Sequence, residues 1–351
     1  MNNPFTARNV LLTGAGGSIG SAIAIAIAGQ KPRALVLLDH SEQNLHQIDF
    51  DLSAVPGGTA RSPILGDVCD PALLSEIFEE YEPEVVIHAA AFKHVPLMEK
   101  NPIPAVQNNA LGTNLLAQAA RAHGASTFVM VSTDKAVNPR SVMGASKRLA
   151  ELALLRWSSA RTPMRAVRLG NVFGSCGSVV PTFLQQIAAG GPVTVTHPDV
   201  NRYFVSLSKA VELLLSAANL TGRGGVYMSD LGEPVRILDL AHQVIENAGF
   251  EPESEIPIVM TGLRPGDKMA EQFLSDHETV AAPGREGETL RLIHTPEPAH
   301  EKFDALIAEL QEAADRRDLA DVLDRLCRLV PDYQPSETVL ALRKNAAPHS
   351  V

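Results

Sequence analysis

The sequence is poor in cysteine and has no long apolar run. Its three cysteines, Cys69, Cys176 and Cys327, form no CxxC pair. This excludes the usual thiolate zinc sites and is typical of a reducing compartment. No segment approaches the roughly 20 apolar residues that cross a bilayer, and the first residues lack the regions of a signal peptide. We therefore expect a cytoplasmic protein without a membrane segment, and we expect no metal site.

Basic clusters are also missing. Forty acidic against thirty basic residues give a net charge of −10, and no Lys/Arg tract offsets it. A nucleic-acid partner is therefore not expected, because phosphate backbones are bound by basic surfaces. An anionic substrate would need locally placed Arg or Lys side chains. Hydrophobic residues make up 45% of the 351 positions, which is enough for a sizeable core.

Short apolar runs alternate with helix-length segments through the first half of the chain. Such repeated units predict an α/β fold with a doubly wound parallel sheet (Rossmann). We assign this sheet, as an NAD-binding domain, to residues 1–170, with a segment near 201–235 that returns to it. Residues 171–351 are expected to form mainly a smaller α/β nucleotide-sugar-binding lobe and C-terminal helices. The run Ser21–Ala28 alternates like a strand, but its alanines favour a helix. The predicted strands are Asn9–Thr13, Ala34–Leu38, Ser62–Gly66, Glu84–His88, Thr127–Ser132 and Arg165–Leu169. The predicted helices include Ser41–Ala54, Pro71–Tyr81, Pro104–His123, Ser146–Ala160 and the tail from about His300 to Leu329.

A glycine-rich turn follows the first predicted strand. Gly14, Gly17 and Gly20 have the GxxGxxG spacing that admits a pyrophosphate at a helix N-terminus. Asp39 ends the second strand, where a carboxylate binds the adenosine ribose and repels a 2′-phosphate. We therefore predict NAD rather than NADP. The other candidate cofactor contacts are Ser18, Ile19, His40, Ser41, Asp67, Val68, Ala89 and Ala90.

The segment from Ser132 to Lys147 reads STDKAVNPRSVMGASK. Together with TGAGGSIG, LLDHSE, AAAFKHVPLMEKNP, LGNVFGS and LRPGDK, it resembles the extended short-chain dehydrogenases/reductases. More narrowly, it resembles their CapD-like nucleotide-diphosphate-sugar 4,6-dehydratases. The superfamily pairs a Tyr with a Lys four residues later and a Ser or Thr upstream. Lys147 matches that lysine, and Ser132 or Thr133 matches the hydroxyl. Met143 holds the Tyr position, and a thioether cannot transfer a proton.

The resemblance implies a role for each of these side chains. Asp134 would be the acid for the hydroxyl that leaves sugar C6, and Lys135 the base at C5. Lys135 would then need a depressed pKa. Thr133 would bind the sugar near C4, and Lys147 the nicotinamide ribose. The acceptor of the 4-hydroxyl proton stays open among Asp134, Lys135 and a water relay.

Further polar residues follow the later predicted strands. Arg202 and Arg264 match positions that bind the diphosphate in the family, and guanidinium groups suit phosphate oxygens. Glu271 is expected to orient Arg264, and Asn109 to support backbone and an active-site water. The remaining candidate substrate contacts are Lys93, His94, Asn171, Ser178 and Val179.

The function implied is an NAD-dependent UDP-sugar 4,6-dehydratase, with UDP-N-acetylglucosamine the first substrate to test. Two alternatives are an epimerase of the same superfamily and a non-catalytic regulator that binds NAD or a nucleotide sugar. An epimerase acting only at C4 would have no use for an acid at C6. We also expect a homo-oligomer built from dimers, paired through the helices predicted near Pro104–His123 and Ser146–Ala160.

Overall fold

The computed structural model describes residues 3–56, 58–175, 177–229, 232–281, 289–296 and 300–346. Cys176 lies outside these residues. In chain order the strands are β1 (Asn9–Thr13), β2 (Ala34–Asp39), β3 (Arg61–Leu65), β4 (Val85–His88), β5 (Thr127–Thr133), β6 (Met164–Leu169), β7 (Asn171–Val172), β8 (Val193–Val195), β9 (Asn201–Arg202), β10 (Phe204–Val205), β11 (Gly225–Ser229), β12 (Val235–Arg236), β13 (Ile258–Met260), β14 (Thr279–Val280) and β15 (Leu290–His294).

Helices pack on both faces of the sheet, and the last helices form the C-terminal segment. They are α1 (Ser18–Ala28), α2 (Glu42–Ser53), α3 (Pro71–Tyr81), α4 (Val95–Lys100), α5 (Pro102–Val106), α6 (Gly112–Ala122), α7 (Val142–Trp157), α8 (Val179–Ala188), α9 (Leu207–Asn219), α10 (Ile237–Asn247), α11 (His300–Asp315), α12 (Leu319–Leu329) and α13 (Glu337–Ala346). In the described parts of the chain, no helix combines the length and apolarity that a membrane span requires.

A large, mostly parallel sheet organises the molecule. Its spatial order is β14-β15-β11-β6-β5-β4-β1-β2-β3, and every pair from β3 to β11 is parallel, whereas β15 runs antiparallel to β11 and β14. The order reverses between β1 and β4, which is the topological switch point where doubly wound folds bind ligands. The predicted fold class is confirmed.

Local sequence explains where the observed elements agree with the predicted ones and where they differ. Ser21–Ala28 is helical and belongs to α1, as its alanines indicated. The predicted helix Pro104–His123 is interrupted by a π-helical stretch, Gln107–Leu111, between α5 and α6. α7 begins earlier than predicted because Ser141 caps it by accepting a hydrogen bond from the amide of Gly144. Pro63 lies within β3, which is the sheet edge, where proline is tolerated.

Parts of the chain after residue 170 return to the main sheet. β11 joins the main sheet beside β6, and β15 follows it in the same sheet. A smaller apolar cluster from α8, β8 and α10, including Phe183, Val193 and Leu240, forms the core of the lobe. The C-terminal helices do not join that cluster.

α11 and α12 instead cover the helices beside the sheet. Leu310 and Leu326 are buried in one cluster with Val106 of α5 and with Leu149 and Leu152 of α7. The chain itself thus covers the apolar face of α5 and α7, which is part of the surface predicted to pair in a dimer. The homo-oligomer and its interface remain predictions.

Candidate active site

The switch point of the sheet brings several predicted site residues to one edge. Thr13, His88 and Thr133 end β1, β4 and β5, three neighbouring parallel strands. The carboxyl ends of parallel strands lie at the same edge. The glycine turn and the turn that holds Asp134 and Lys135 therefore both open onto this crevice.

The glycine turn is closely packed against backbone. Gly14 has φ +64°, and a Cβ there would lie 2.6 Å from the amide nitrogen of Ala90. A Cβ at Gly20 would lie 2.0 Å from the carbonyl oxygen of Gly14. Gly17 caps α1 without a side-chain hydrogen bond. The first turn of α1 therefore presents backbone amides at a site that only glycines permit, which suits a pyrophosphate.

Asp39 stabilises the turn that it faces. Its buried carboxylate accepts hydrogen bonds from the amide of Gly16 at 2.9 Å and from the amide of Ser41 at 2.9 Å. Each carboxylate oxygen has a second lone pair, so ribose hydroxyls can bind alongside these amides. The residues present thus fit a dinucleotide with an unmodified ribose.

The remaining cofactor candidates divide by exposure. Ile19 packs against the apolar core, and Val68 is buried in another apolar cluster. Asp67 is exposed and its carboxylate accepts a hydrogen bond from the amide of Cys69. His40 is also exposed, and its ring meets Phe92 edge-on at 6.0 Å. Ser41 caps α2, Ser18 is the first residue of α1, and the backbone of Ala89 and Ala90 lies under Gly14.

A buried histidine connects the elements beneath the crevice. Thr113 Oγ1 donates its proton to the carbonyl of Asn109, so it must accept from Nε2 of His88 at 2.8 Å. His88 Nδ1 then accepts from Thr13 Oγ1 at 2.6 Å. Burial, and to a smaller extent Lys147, lowers the pKa of His88 to about 3. The imidazole is therefore neutral. No sequence motif signals this role.

Asp134 and Lys135 form an ion pair in which the carboxylate is buried and the lysine is partly exposed. Asp134 is fully buried, and its Oδ1 accepts from Lys135 Nζ at 2.9 Å and from Thr133 Oγ1 at 2.9 Å. Its Oδ2 is buried and has no hydrogen-bond partner among the described residues. Burial raises the pKa of Asp134 although Lys135 opposes the shift, and Glu271 adds to it. Burial therefore makes Asp134 easier to protonate than an exposed aspartate, which suits a group that donates a proton.

Lys135 does not meet the expectation of a depressed pKa. Burial lowers the pKa of its amine, but the charges of Asp134 and Glu271 outweigh burial and raise it. Lys135 Nζ also donates to Asn171 Oδ1 at 3.0 Å. In this structure Lys135 is a charged group held between acceptors, so its use as a base requires that a proton first be removed.

The two candidate hydroxyls next to this pair have different surroundings. Ser132 Oγ is buried and donates to Glu151 Oε1 at 2.7 Å. Thr133 Oγ1 contacts Asp134 and accepts from the amide of Lys135. Thr133 is therefore the hydroxyl at the site, and Ser132 anchors β5 to α7.

A buried four-charge cluster lies behind Ser132. Arg168 binds Glu151 and Glu278 through contacts of 2.7 to 2.9 Å, and Arg148 Nη1 lies 2.9 Å from Glu151 and 3.0 Å from Glu278. This cluster joins β6, α7 and the segment before β14. The sequence analysis missed it, because its members are far apart along the chain.

Lys147 and Met143 lie on the first turns of α7. Lys147 is buried, and burial lowers its pKa to about 8, although Glu151 opposes the shift. Of the two predicted active-site lysines, Lys147 is thus the one with the depressed pKa. Met143 is buried in the apolar cluster that includes Leu149 and Leu310. At the position where the superfamily has its Tyr, the Met143 side chain therefore packs in the apolar core.

Asn109 fixes the loop after β4. Its side chain accepts from the amide of Phe92 at 2.7 Å, and it donates to the carbonyl of Phe92 at 2.9 Å and to Ser146 Oγ at 3.0 Å. These bonds confirm the prediction that Asn109 supports the backbone near the site. Lys93 and His94 follow Phe92 and are exposed. The ring of His94 lies against Gly177, where a Cβ would be 2.6 Å from its Cε1.

The substrate-side candidates do not form one cluster. Ser178 Oγ is buried without a hydrogen-bond partner among the described residues, at the start of α8, whose first residue is Val179. Arg202 is buried, and its guanidinium donates to the carbonyls of Asn201, Met269 and Lys268.

Glu271 corrects one prediction. It lies with Lys135 and Arg202, at 3.6 and 3.8 Å, and not with Arg264. Arg264 is 57% exposed and pairs instead with Asp267 at 2.8 Å. Glu271 therefore belongs to the Asp134–Lys135 site rather than to a guanidinium that binds phosphate.

The sheet order, the glycine turn and the paired Asp134 and Lys135 define the class: a Rossmann-type enzyme of the short-chain dehydrogenase/reductase superfamily. The fold is similar to the crystal structure of Pen from Bacillus thuringiensis, with a TM-score of 0.69 and 30% identity, covering 76% of this chain and 83% of that one. Residues 10–289 match the model of the polysaccharide biosynthesis protein family, to which this chain belongs.

Two curated relatives show the range of the family. The probable polysaccharide biosynthesis protein EpsC of Bacillus subtilis is 46% identical over 283 residues, which are 80% of this chain and 47% of EpsC. The chain thus spans about half the length of EpsC. A UDP-N-acetylglucosamine 4,6-dehydratase (inverting) of Campylobacter jejuni is 30% identical over 281 residues, 78% of this chain and 80% of that protein. Relatives at the same identity include UDP-glucose 4-epimerases.

Proposed function

We propose that the chain is an NAD-dependent nucleotide-sugar 4,6-dehydratase that converts a UDP-hexose, with UDP-N-acetylglucosamine tested first, to the UDP-4-keto-6-deoxy sugar. The observation that carries the proposal is the environment of Asp134. It is a fully buried carboxyl group whose burial raises its pKa, beside a lysine at 2.9 Å. A proton donor next to an amine is what elimination of water from neighbouring carbons requires.

The glycine turn and Asp39 support NAD as the cofactor. NAD bound there would accept the hydride from sugar C4 and supply the hydride for C6. Asp39, already anchored by the amides of Gly16 and Ser41, would hold the ribose hydroxyls and disfavour a 2′-phosphate. Lys147 would hold the second ribose and, with its pKa lowered to about 8 by burial, can exchange a proton near neutral pH.

The chain's own residues divide the elimination between them. Once C4 is a ketone, the C5 proton is acidic, and Lys135 removes it. Asp134 protonates the hydroxyl that leaves C6. Thr133 donates to Asp134 and would turn to hydrogen-bond the sugar near C4. Asn171, which accepts from Lys135 Nζ at 3.0 Å, holds the amine at the site.

Arg264 is the candidate residue best placed to bind the diphosphate. Arg264 is exposed and held by one ion pair, so it can turn toward a phosphate. The guanidinium of Arg202 is occupied by backbone carbonyls and contributes its charge rather than a bidentate contact. Ser178 Oγ, buried without a partner among the described residues, would hydrogen-bond the nucleotide.

The main alternative is a nucleotide-sugar epimerase, as relatives of equal identity carry that name. A C4 epimerase needs hydride transfer and a proton acceptor at O4 but no acid at C6. A buried acid with a raised pKa therefore favours dehydration.

Incubation of the purified protein with UDP-N-acetylglucosamine, followed by mass spectrometry and proton NMR, tests the proposal. We expect loss of one water and a new methyl signal. Interconversion of two UDP-sugars without loss of water would establish the epimerase. No reaction with any of a panel of UDP-hexoses, with NAD bound, would favour a regulator.

A further inference from the structure

Glu99 is a buried carboxyl group without a role in the elimination described above. It is 1% exposed and lies near the end of α4. Among the described residues no cation forms an ion pair with it. A buried carboxyl group of this kind must be held by hydrogen bonds, so its partners show which segments it connects.

The two oxygens of Glu99 join α4 to two other segments. Oε1 accepts from the amide of Val142 at 2.7 Å, and Val142 is the first residue of α7, where an amide has no partner inside the helix. Oε2 accepts from the hydroxyl of Ser336 in the α12–α13 linker, residues 330–336. In the same linker the amide of Gln334 donates to the carbonyl of Pro139 at 3.0 Å. Glu99 is thus enclosed between α7 and this linker.

The backbone of Gly266 lies directly against Glu99. Gly266 has φ +81°, and a Cβ there would lie 3.1 Å from Cδ of Glu99 and 2.8 Å from Cβ of Ser141. A residue with a side chain would have to displace one of these partners. Glu99 and the N-terminus of α7 therefore set the position of Gly266.

Gly266 belongs to a tight turn that carries Arg264. The amide of Asp267 donates to the carbonyl of Arg264 at 3.0 Å, and Pro265 followed by a glycine with positive φ is typical of a type II turn. The side chain of Asp267 is 7% exposed, whereas that of Arg264 is 57% exposed, and the two pair at 2.8 Å. The buried side of the turn therefore fixes where the exposed guanidinium begins.

The residues after this turn adjoin the Asp134–Lys135 site. Lys268 Nζ donates to the carbonyl of Val137 at 2.7 Å, and Glu271 Oε1 lies 3.6 Å from Lys135 Nζ. The turn is therefore held between Glu99 on one side and the segment that follows β5 on the other.

The contacts of Glu99 depend on its shape and hydrogen bonds. Burial raises the pKa of Glu99 against the hydrogen bonds from Ser336 and Val142, and Asp267 adds to the rise. A neutral side chain of the same shape can therefore take its place. Glutamine offers an oxygen to Val142 and an amide group to Ser336, whose hydroxyl can also accept.

We propose that Glu99 is a positioning residue for substrate binding, which holds the Arg264–Asp267 turn against α7 and so presents Arg264 to the diphosphate. Glu99 touches neither substrate nor cofactor and acts through Gly266. This inference rests on the proposed function, in which Arg264 binds the diphosphate.

Hydrogen exchange of the full chain with NAD bound tests the contact without relying on activity. In Glu99→Ala we expect exchange within residues 261–272 to rise about tenfold or more, because the turn loses the group on which it packs. Glu99→Gln should stay within about threefold of the wild type, because it keeps both hydrogen bonds. If Glu99→Ala does not fold, Ser336→Ala removes one of the two hydrogen bonds and should raise the same exchange by a smaller factor.

Glu84→Ala is the matched control for this measurement. Glu84 also joins two segments by accepting from a backbone amide, that of Asn9 at 3.2 Å. It lies just before β4 and faces the start of β1, at the opposite edge of the sheet from the site. Its loss should leave exchange within residues 261–272 unchanged. Unchanged exchange there in Glu99→Ala, or in Ser336→Ala if that variant is used, would overturn the proposal.

Calorimetric titration of the NAD-bound protein with UDP tests the route through Arg264. Glu99→Ala and Arg264→Met should each weaken UDP binding about tenfold or more, Glu99→Gln should restore most of the affinity, and NAD affinity should not change. The double variant should bind UDP no more weakly than Arg264→Met alone, because both changes remove the same contact. Losses that add would overturn the route through Arg264. A wild-type protein that binds no UDP would instead contradict the proposed function, and hydrogen exchange would still decide whether Glu99 holds the turn.

Discussion

The buried cluster of Arg168, Arg148, Glu151 and Glu278 leads to a quantitative prediction about stability. Arg168 makes five contacts of 2.7 to 2.9 Å, four to the two carboxylates and one to the carbonyl of Phe273. Replacing Arg168 by Met leaves two buried carboxylates that, among the described residues, keep an ion pair with Arg148. Removing one partner from a buried ion pair costs about 3–5 kcal/mol of unfolding free energy, and we expect a loss in that range at pH 7.

The loss should depend on pH in a defined direction. Against the effect of burial, Arg168 and Arg148 lower the pKa of Glu278 to about 2, so its stabilising contribution is present above the unfolded pKa and lost as pH falls toward 2. In Arg168→Met, burial is less opposed and the folded pKa values rise. The cost of keeping the carboxylates ionised in the folded protein then grows as pH rises above their unfolded pKa. The difference in unfolding free energy between Arg168→Met and the wild type should therefore be smaller at pH 5 than at pH 7, by about 1 kcal/mol or more.

Urea denaturation at the two pH values measures this difference, and Arg165→Met is its control. Arg165 is buried on the same strand, and in the described part of the chain its Nη2 donates to the carbonyls of Leu220 and Gly222 rather than to a carboxylate. Removing its guanidinium should lower the unfolding free energy by about 1 kcal/mol, and by the same amount at both pH values. Equal and pH-independent losses in both variants would refute the assignment of charge pairing to Arg168.

Three further predictions concern the site and the C-terminal cover. Asp134→Asn should lower dehydration at least about 100-fold while NAD content, measured after denaturation, is unchanged; near-normal turnover would remove Asp134 as the acid. Gly20→Ala should weaken NAD binding about tenfold or more, measured by calorimetry, because its Cβ would lie 2.0 Å from the carbonyl of Gly14; unchanged affinity would contradict the packing of the turn. Leu310→Asp should uncover the apolar face of α5 and α7 and raise the mass measured by light scattering at micromolar concentration; an unchanged mass with an unchanged melting temperature would show that α11 does not cover it.

The sheet could be predicted because its signal is local. Continuous apolar runs of strand length, separated by helix-length segments, identify the first six strands within one or two residues, and Asp134 and Lys135 lie where a strand ends. The glycine turn could be predicted for the same reason, since its spacing and its position after β1 are properties of one short segment.

The partners of the site residues are not local. Arg168 and Glu278 are separated by 110 residues, and no periodicity connects them. Glu271 was expected to face Arg264, because both follow the same loop. The direction of a side chain in an irregular loop has no repeating pattern, and the loop turns Glu271 toward Lys135 instead. The amphipathic pattern of the C-terminal helices predicts that each has an apolar face, but it does not predict the surface against which that face packs.

In the proposed reaction, hydride leaves C4 and returns to C6 of the same sugar. UDP-N-acetylglucosamine deuterated at C4, incubated with the purified protein and followed by NMR and mass spectrometry, shows where that hydride goes. We expect a 4-keto product that has lost one water and carries the deuterium in its C6 methyl group. Deuterium that remains at C4 in a product with all its oxygen atoms would contradict dehydration and establish an epimerase.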